Sequence, residues 1–219
     1  MKYRALIFDV DGTLYSSKPV QRGMLLRIAG AHLLRPFTGR RLVRGLMAYR
    51  RAQEALRGHE PVADLARVQL EHGASESGVS VEELRGWVEH WMETAPLALV
   101  AAARRDGIRE LLEAARAQGQ VLGVVSDYPA QAKLDALGLG QHFDQVGWAQ
   151  QPDVGCFKPA PRALERMCER LGVGVQEALY IGDRVEVDAA AAASAGMECA
   201  ILGRDFGNYR ELAVRLAAG

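Results

Sequence analysis

A chain of 219 residues, 49% hydrophobic and 25% charged, has the size and composition of one soluble globular unit or of a core carrying a smaller insert. Lysine plus arginine balance aspartate plus glutamate at 27 each, so net charge makes no case for nucleic acid or a membrane as partner. Cys156, Cys168 and Cys199 lack metal-ligand spacing and suit a reducing compartment, the cytoplasm; residues 1–4 run straight into an apolar segment and leave no room for a signal peptide. The longest uncharged apolar run, 94–103, is too short to cross a bilayer.

The first predicted element is a strand over 3–8. Its run Ala5-Leu6-Ile7-Phe8 delivers two carboxylates, Asp9 and Asp11, before Gly12 and Thr13 turn the chain. Side chains two apart on an extended chain point the same way, and two acids so close need a cation or a proton between them. Read alone, the pattern also suits a calcium loop or a solvated turn.

Residues 16–97 show no strand but four helical stripes, carried by Met24, Leu25, Ile28 and Ala31; by Leu42, Leu46 and Tyr49; by Val62, Leu65, Ala66 and Leu70; and by Val81, Leu84, Val88 and Trp91. Pro19, Pro36, Pro61 and Pro96 stand near their ends, where proline is tolerated, so a four-helix insert is expected. Its charge is lopsided. From Tyr15 to Glu60 there are ten basic residues against Glu54 and Glu60, whereas up to Pro96 seven acids face Arg67 and Arg85. Either the first half forms a basic wall for a polyanion or a membrane, or the two halves pair and the rest is a solvated face; the second reading is preferred. Lys18 and Arg22 leave the first strand earliest and are candidate substrate contacts.

Beyond the insert, strands and helices alternate. A helix is expected from Ile108 to Gly119, then a strand over 121–125 ending in Ser126-Asp127, and a helix over 129–137 closed by Gly138. A short strand over 145–149 follows, then Lys158-Pro159 and a helix over 161–171 stopped by Gly172. A strand over 178–181 ends in Gly182-Asp183; a helix over 187–195 carries Asp188 near its head, and a strand over 198–202 closes the sheet. Such alternation implies right-handed crossovers and a mostly parallel sheet. Each polar tip has an ordinary reading as well: Ser126 as a helix cap, Lys158 as a solvated lysine, Asp188 as a helix-start acid.

Taken in order, Asp-x-Asp, Ser, Lys-Pro and Gly-Asp-x-x-x-x-Asp, at three strand ends and one loop, resemble the haloacid dehalogenase superfamily over essentially the whole chain. The resemblance implies a doubly wound, Rossmann-like parallel sheet built from residues 1–15 and 98–219, with 16–97 as an inserted helical cap of the type-one, phosphoglycolate-phosphatase-like kind. It implies a magnesium-dependent phosphatase acting on a small phosphorylated metabolite, with no nucleic-acid or membrane partner, as a monomer or homodimer. By the same similarity Asp9 is the nucleophile that becomes an aspartyl phosphate and Asp11 the acid and then the base. Thr13 and Ser126, with Asp127 beside it, hold phosphate oxygens, and Lys158 steadies the charge. Asp183 completes a magnesium site with Asp9 and Asp11, and Asp188 serves as a water-linked ligand or a partner for Lys158. Dehalogenase and phosphonate-cleaving relatives lack an aspartate at the position of Asp11, which favours phosphate esters. A phosphomutase of the same superfamily, or a binding protein that keeps the fold, are the other readings.

Overall fold

The computed structural model describes residues 2–218; Met1 and Gly219, the outer ends of the expected core segments, lie outside the described residues. Five parallel strands form one sheet: β1 (Ala5–Phe8), β2 (Val121–Ser126), β3 (Gln145–Trp148), β4 (Ala178–Gly182) and β5 (Glu198–Ile201), in the order β3-β2-β1-β4-β5. The central strand β1 sets Phe8 level with Val124 of β2 on one side and Ile181 of β4 on the other. The chain therefore runs outward from β1 in one direction and returns to build the other half. The reversal lies beside β1, where ligands of open α/β sheets bind.

Alternation along β1 fixes what covers each face. Leu6 and Phe8 enter a core with α6 (Ile108–Ala117), α7 (Gln131–Leu137) and α10 (Tyr209–Ala218). Ala5 and Ile7 point the other way, onto α8 (Arg162–Leu171) and α9 (Ala190–Ala195). All four residues are fully buried, which is why the strand reads as a continuous apolar run. Left-handed glycines at 138, 172 and 196 end α7, α8 and α9, as expected.

Between β1 and α6 the described chain contains helices alone: α1 (Ser17–Ala31), α2 (Pro36–Leu56), α3 (Leu65–Ser77), α4 (Val81–Val88) and α5 (Leu97–Ala102). In α2, Leu42, Gly45, Tyr49, Ala52 and Leu56 recur every three or four residues and are all buried. Ser80 caps α4 by accepting the Glu83 N–H at 3.1 Å, with Glu82 and Glu83 in the first turn. Tyr49, Leu70, Ala74, Val79, Leu84 and Val88 form the apolar centre of this cap, separate from the two sheet faces.

The fourth stripe does not end as expected. After Val88 the helix widens into a π-turn over Glu89–Thr94, and the short α5 follows, so the expected boundary at residue 98 falls inside a helix. The terminal helix α10, which no motif flagged, covers the sheet through Tyr209 and Leu212. No helix among the described residues is long and apolar enough to cross a membrane.

Leu84 is fully buried at the centre of the cap cluster. Leu84→Ala is expected to cost about 2–5 kcal/mol of stability, read as a lower urea midpoint.

Candidate active site

The site forms where three strand ends and the loop before α8 converge. Asp9 follows β1 directly, its N–H donating to the Ile181 carbonyl at 2.9 Å, and its side chain is buried. Lys158 is equally buried. Its ammonium donates to Asp9 Oδ1 at 2.6 Å, to Asp188 Oδ1 at 2.7 Å and to the Tyr180 hydroxyl at 2.9 Å. The other oxygen of Asp9 accepts from the Thr13 hydroxyl at 3.2 Å.

Asp188 is set by an irregularity that the sequence pattern did not reveal. The expected helix over 187–195 begins as a π-turn, Val185–Ala189, and this turns Asp188 inward instead of leaving it at a solvent-facing helix head. Its Oδ2 accepts the N–H groups of Asp183 and Arg184 at 3.2 and 3.0 Å, and its Oδ1 also accepts from Tyr180 at 3.1 Å. Space for this comes from glycine: a Cβ on Gly182 would lie 2.5 Å from that of Asp188. Gly12, at φ 95°, is required both by its backbone and by its neighbour, since a Cβ there would lie 2.1 Å from Asp183 Oδ2.

One ammonium thus serves two buried carboxylates. Burial by itself favours a neutral lysine, but Asp9, Tyr180 and Asp188 outweigh it and hold Lys158 well above its ordinary pKa. Burial also works against the Asp188 charge, yet Lys158 and the backbone donors keep that carboxyl below its ordinary range. Asp9 has fewer donors. Burial therefore pushes it up, to about 8, against the pull of Lys158. Burial and the nearby Asp188 raise Asp183 as well.

Asp9, Asp183 and Asp188 each present a carboxylate oxygen within 4.8 Å of the others. Asp183 Oδ1 is buried and has no hydrogen-bond partner. Three ionised carboxylates against one ammonium leave the pocket with two negative charges in excess, and its metal-ligating atoms are all hard oxygens. The set fits a divalent cation such as magnesium: Asp183 Oδ1 is open and Asp9 is held only by Lys158 and Thr13, whereas Asp188 is engaged by Lys158, Tyr180 and two backbone N–H groups.

Asp11 lies apart from this cluster. Both of its oxygens accept from Lys133 on α7, at 2.6 and 2.8 Å, and Oδ1 also accepts from the Tyr15 hydroxyl. Burial alone would raise its pKa, but Lys133 outweighs it and lowers the carboxyl below its ordinary range. Ser126 is buried at the tip of β2, where its hydroxyl accepts the Tyr128 N–H at 3.3 Å; it caps this turn, while Ala130 occupies the N-cap of α7. Asp127 accepts from Gln53 of α2 and from Arg57 just past its end, at 2.7 and 2.8 Å, and so ties cap to core. Lys18 and Arg22 are exposed on α1, and no hydrogen bond or ion pair joins either to the carboxylates.

Several groups at the site were not singled out by sequence. Tyr180 is inward-facing on β4 and bridges Lys158 and Asp188, and Lys133 is the lone lysine on the helix after Ser126. Arg105 donates to the Gly12 carbonyl at 2.7 Å. Arg57 also donates to the Lys158 carbonyl, so the cap touches the backbone of the loop that carries Lys158. Beside it the Tyr128 hydroxyl donates to Gln53, while Gln69 donates to that hydroxyl and Gln150 to Gln69. The signal for Lys133 and Tyr180 was available: each is a polar group on an element already assigned to the site.

A family model for haloacid dehalogenase-like hydrolases matches residues 3–196. The chain belongs to that family. Among curated relatives, this hydrolase is 30% identical to validoxylamine A 7'-phosphate phosphatase of Streptomyces hygroscopicus subsp. limoneus, over 90% of this chain and 84% of that one. It is also 30% identical to phosphoglycolate phosphatase of Rhodospirillum rubrum, over 98% and 85%. Its fold is that of a magnesium-bound HAD-hydrolase of Bacillus subtilis, with TM-score 0.67 and 18% identity over 99% of this chain and 100% of the other. It likewise matches a 2-haloacid dehalogenase of Pseudomonas syringae pv. Tomato, with TM-score 0.64 and 22% identity over 99% of each chain.

Lys158→Met strips two buried carboxylates of their cation and is expected to cost about 3 kcal/mol at neutral pH in the presence of a chelator. The stability that Asp188 draws from its depressed pKa exists above the pKa of the unfolded carboxyl and vanishes as pH falls through the folded value. The gap between wild type and variant, from denaturant titrations, should therefore hold from pH 7 down to about 5 and narrow as pH falls below about 4.

Proposed function

We propose that this hydrolase is a magnesium-dependent phosphatase that cleaves a small phosphorylated metabolite through an aspartyl phosphate on Asp9. The observation that carries the reading is the Lys158 ammonium shared between Asp9 and Asp188, with a second acid, Asp11, two residues from the nucleophile. Phosphoryl transfer asks mainly for in-line positioning and for neutralised charge on the equatorial oxygens.

In the first half-reaction an Asp9 oxygen forms a bond to phosphorus as the ester P–O bond breaks, and the leaving oxygen takes a proton from Asp11. In the second, Asp11 takes a proton from water, the water oxygen bonds to phosphorus, and the bond to Asp9 breaks to release phosphate. Thr13 and Ser126 hold phosphoryl oxygens, and Lys158 offsets the charge that Asp9 shares with them. Asp9 and Asp183, with the backbone carbonyl of Asp11, would hold magnesium, which would supply further charge neutralisation and favour the ionised form of Asp9. Held by Lys133, Asp11 is the base of the second half-reaction; the first needs its acid form, so substrate binding loosens that ion pair.

The substrate class follows from chemistry and kinship. Relatives at 29–30% identity are named for esters as different as validoxylamine A 7'-phosphate, phosphoglycolate and N-acetylmuramic acid 6-phosphate. What these esters share is a phosphate monoester on a small polar body. Arg57 and Gln53, which meet the catalytic loop from the cap, are placed to contact that body.

The test is phosphate release from a panel of phosphorylated metabolites and an aryl phosphate, with and without magnesium. Release that needs magnesium and falls roughly 10³-fold or more in Asp9→Asn is expected. Conversion of a sugar phosphate to its isomer without release would mark a phosphomutase instead, and no turnover of any kind would mark a binding protein. Lys133→Met removes the group that depresses Asp11, so Asp11 stays protonated to higher pH and the alkaline limb of kcat should move upward. An unmoved limb would separate Lys133 from the acid–base step.

A further inference from the structure

The tip of the cap, where α1 turns into α2, is unlike the rest of the surface. Residues 33–38 are all exposed, and among them Leu33, Leu34 and Phe37 are 78%, 93% and 82% accessible. Side chains exposed to that degree stand out from the body of the protein instead of lining a groove. Leu25 and Leu26 on α1 and Met47 on α2 are exposed as well. Contiguous exposed apolar surface of this kind marks an interaction site.

The charge around the tip points to what it meets. Residues 16–53 hold nine basic side chains and no acidic one, an asymmetry hidden by the zero net charge of the chain. The preferred expectation, that the two halves of the cap pair, is met only in part: Arg41 binds Glu83 at 2.7 Å and Arg51 binds Glu76 at 2.6 Å. Arg35, Arg40 and Arg44 flank the apolar tip and have no carboxylate partner among the described residues. On α2, Phe37, Arg40, Arg44 and Met47 recur at helical spacing and are all exposed, so apolar and basic groups share one face.

We propose that this tip is a docking surface for an anionic phospholipid bilayer, with Leu33, Leu34 and Phe37 entering the headgroup–acyl boundary and Arg35, Arg40 and Arg44 meeting lipid phosphates. A bilayer accepts protruding apolar side chains, and its anionic surface complements arginines that have no partner within the chain. A second copy of the chain does so poorly, because a two-fold contact between tips sets these arginines against their own kind. Arginine also has the right form for the boundary, a long apolar stem ending in a planar fork that matches phosphate oxygens. The attachment is peripheral and places the phosphatase at a membrane surface, a partner that the balanced net charge argued against.

The experiment is co-sedimentation of the full chain with vesicles of phosphatidylcholine alone or with added phosphatidylglycerol, at low and high salt. Wild type should pellet with the anionic vesicles, and high salt should release it. Leu33→Ser/Leu34→Ser/Phe37→Ser, and separately Arg35→Glu/Arg40→Glu, should each lower the partition coefficient about tenfold or more. Turnover of a soluble phosphate ester should be unchanged in both, which shows that they fold. Wild type left in the supernatant with anionic vesicles would overturn the proposal, as would variants that bind as well as wild type. So would a wild-type dimer that the apolar variant converts to a monomer, which would give the tip to a second copy. Retention on immobilised polyglutamate without vesicle binding would give it to an acidic protein.

Discussion

A single buried ammonium organises the candidate site. Lys158 lies between Asp9 and Asp188, out of water, with Tyr180 as a third acceptor. No one of these groups is stable there alone, because a lone buried carboxylate or ammonium shifts its pKa and loses its charge. The surrounding structure answers to that requirement. Gly182 leaves room for Asp188 against the end of β4, the π-turn over Val185–Ala189 rotates it inward, and two backbone N–H groups hold its free oxygen. Asp188 is thereby fixed as an anion, and the strain of the arrangement falls on Asp9, which has fewer donors than Asp188. A carboxyl raised in this way, beside the unpartnered oxygen of Asp183, suits a divalent cation that completes its charge balance.

The sheet was legible because its strands follow simple rules. Ala5-Leu6-Ile7-Phe8 is apolar throughout since both faces of β1 are covered, and glycines at 138, 172 and 196 stop the helices that return to it. The motifs at the strand tips were equally legible, because chemistry at a sheet edge demands particular residue types in order. What escaped is of another kind. The π-turns at Glu89–Thr94 and Val185–Ala189 carry ordinary helical periodicity and differ by one residue of winding, which packing decides. Lys133 and Tyr180 lie on elements already assigned to the site and Arg57 lies in the cap, but only the three-dimensional arrangement shows where their polar ends arrive. Asp11 shows the same limit: the sequence places it beside Asp9, but not facing Lys133.

The cap is joined to this centre at a narrow seam. Arg57 spans it, donating to Asp127 at the end of β2 and to the carbonyl of Lys158, so one cap side chain touches two of the loops that form the site. Its partner Asp127 keeps a second buried oxygen without a donor. Displacing Arg57 leaves Asp127 without its cation, which gives the cap a defined resting place and makes its opening costly unless a substrate supplies substitute contacts. The opposite end of the cap, the α1–α2 tip, carries exposed leucines and arginines. The insert therefore has a polar end against the core and an amphipathic end exposed to solvent.

The most direct measurement is of the covalent intermediate itself. Asp11→Asn, which keeps the nucleophile but lacks the base for its hydrolysis, would be mixed with magnesium and substrate and quenched in acid. Its peptides would then be mapped by mass spectrometry before and after hydroxylamine. A hydroxylamine-labile phosphoryl group on Asp9 is the expected result. Phosphate release with Asp9 unmodified, or the adduct on another residue, would contradict a nucleophilic Asp9 held by Lys158.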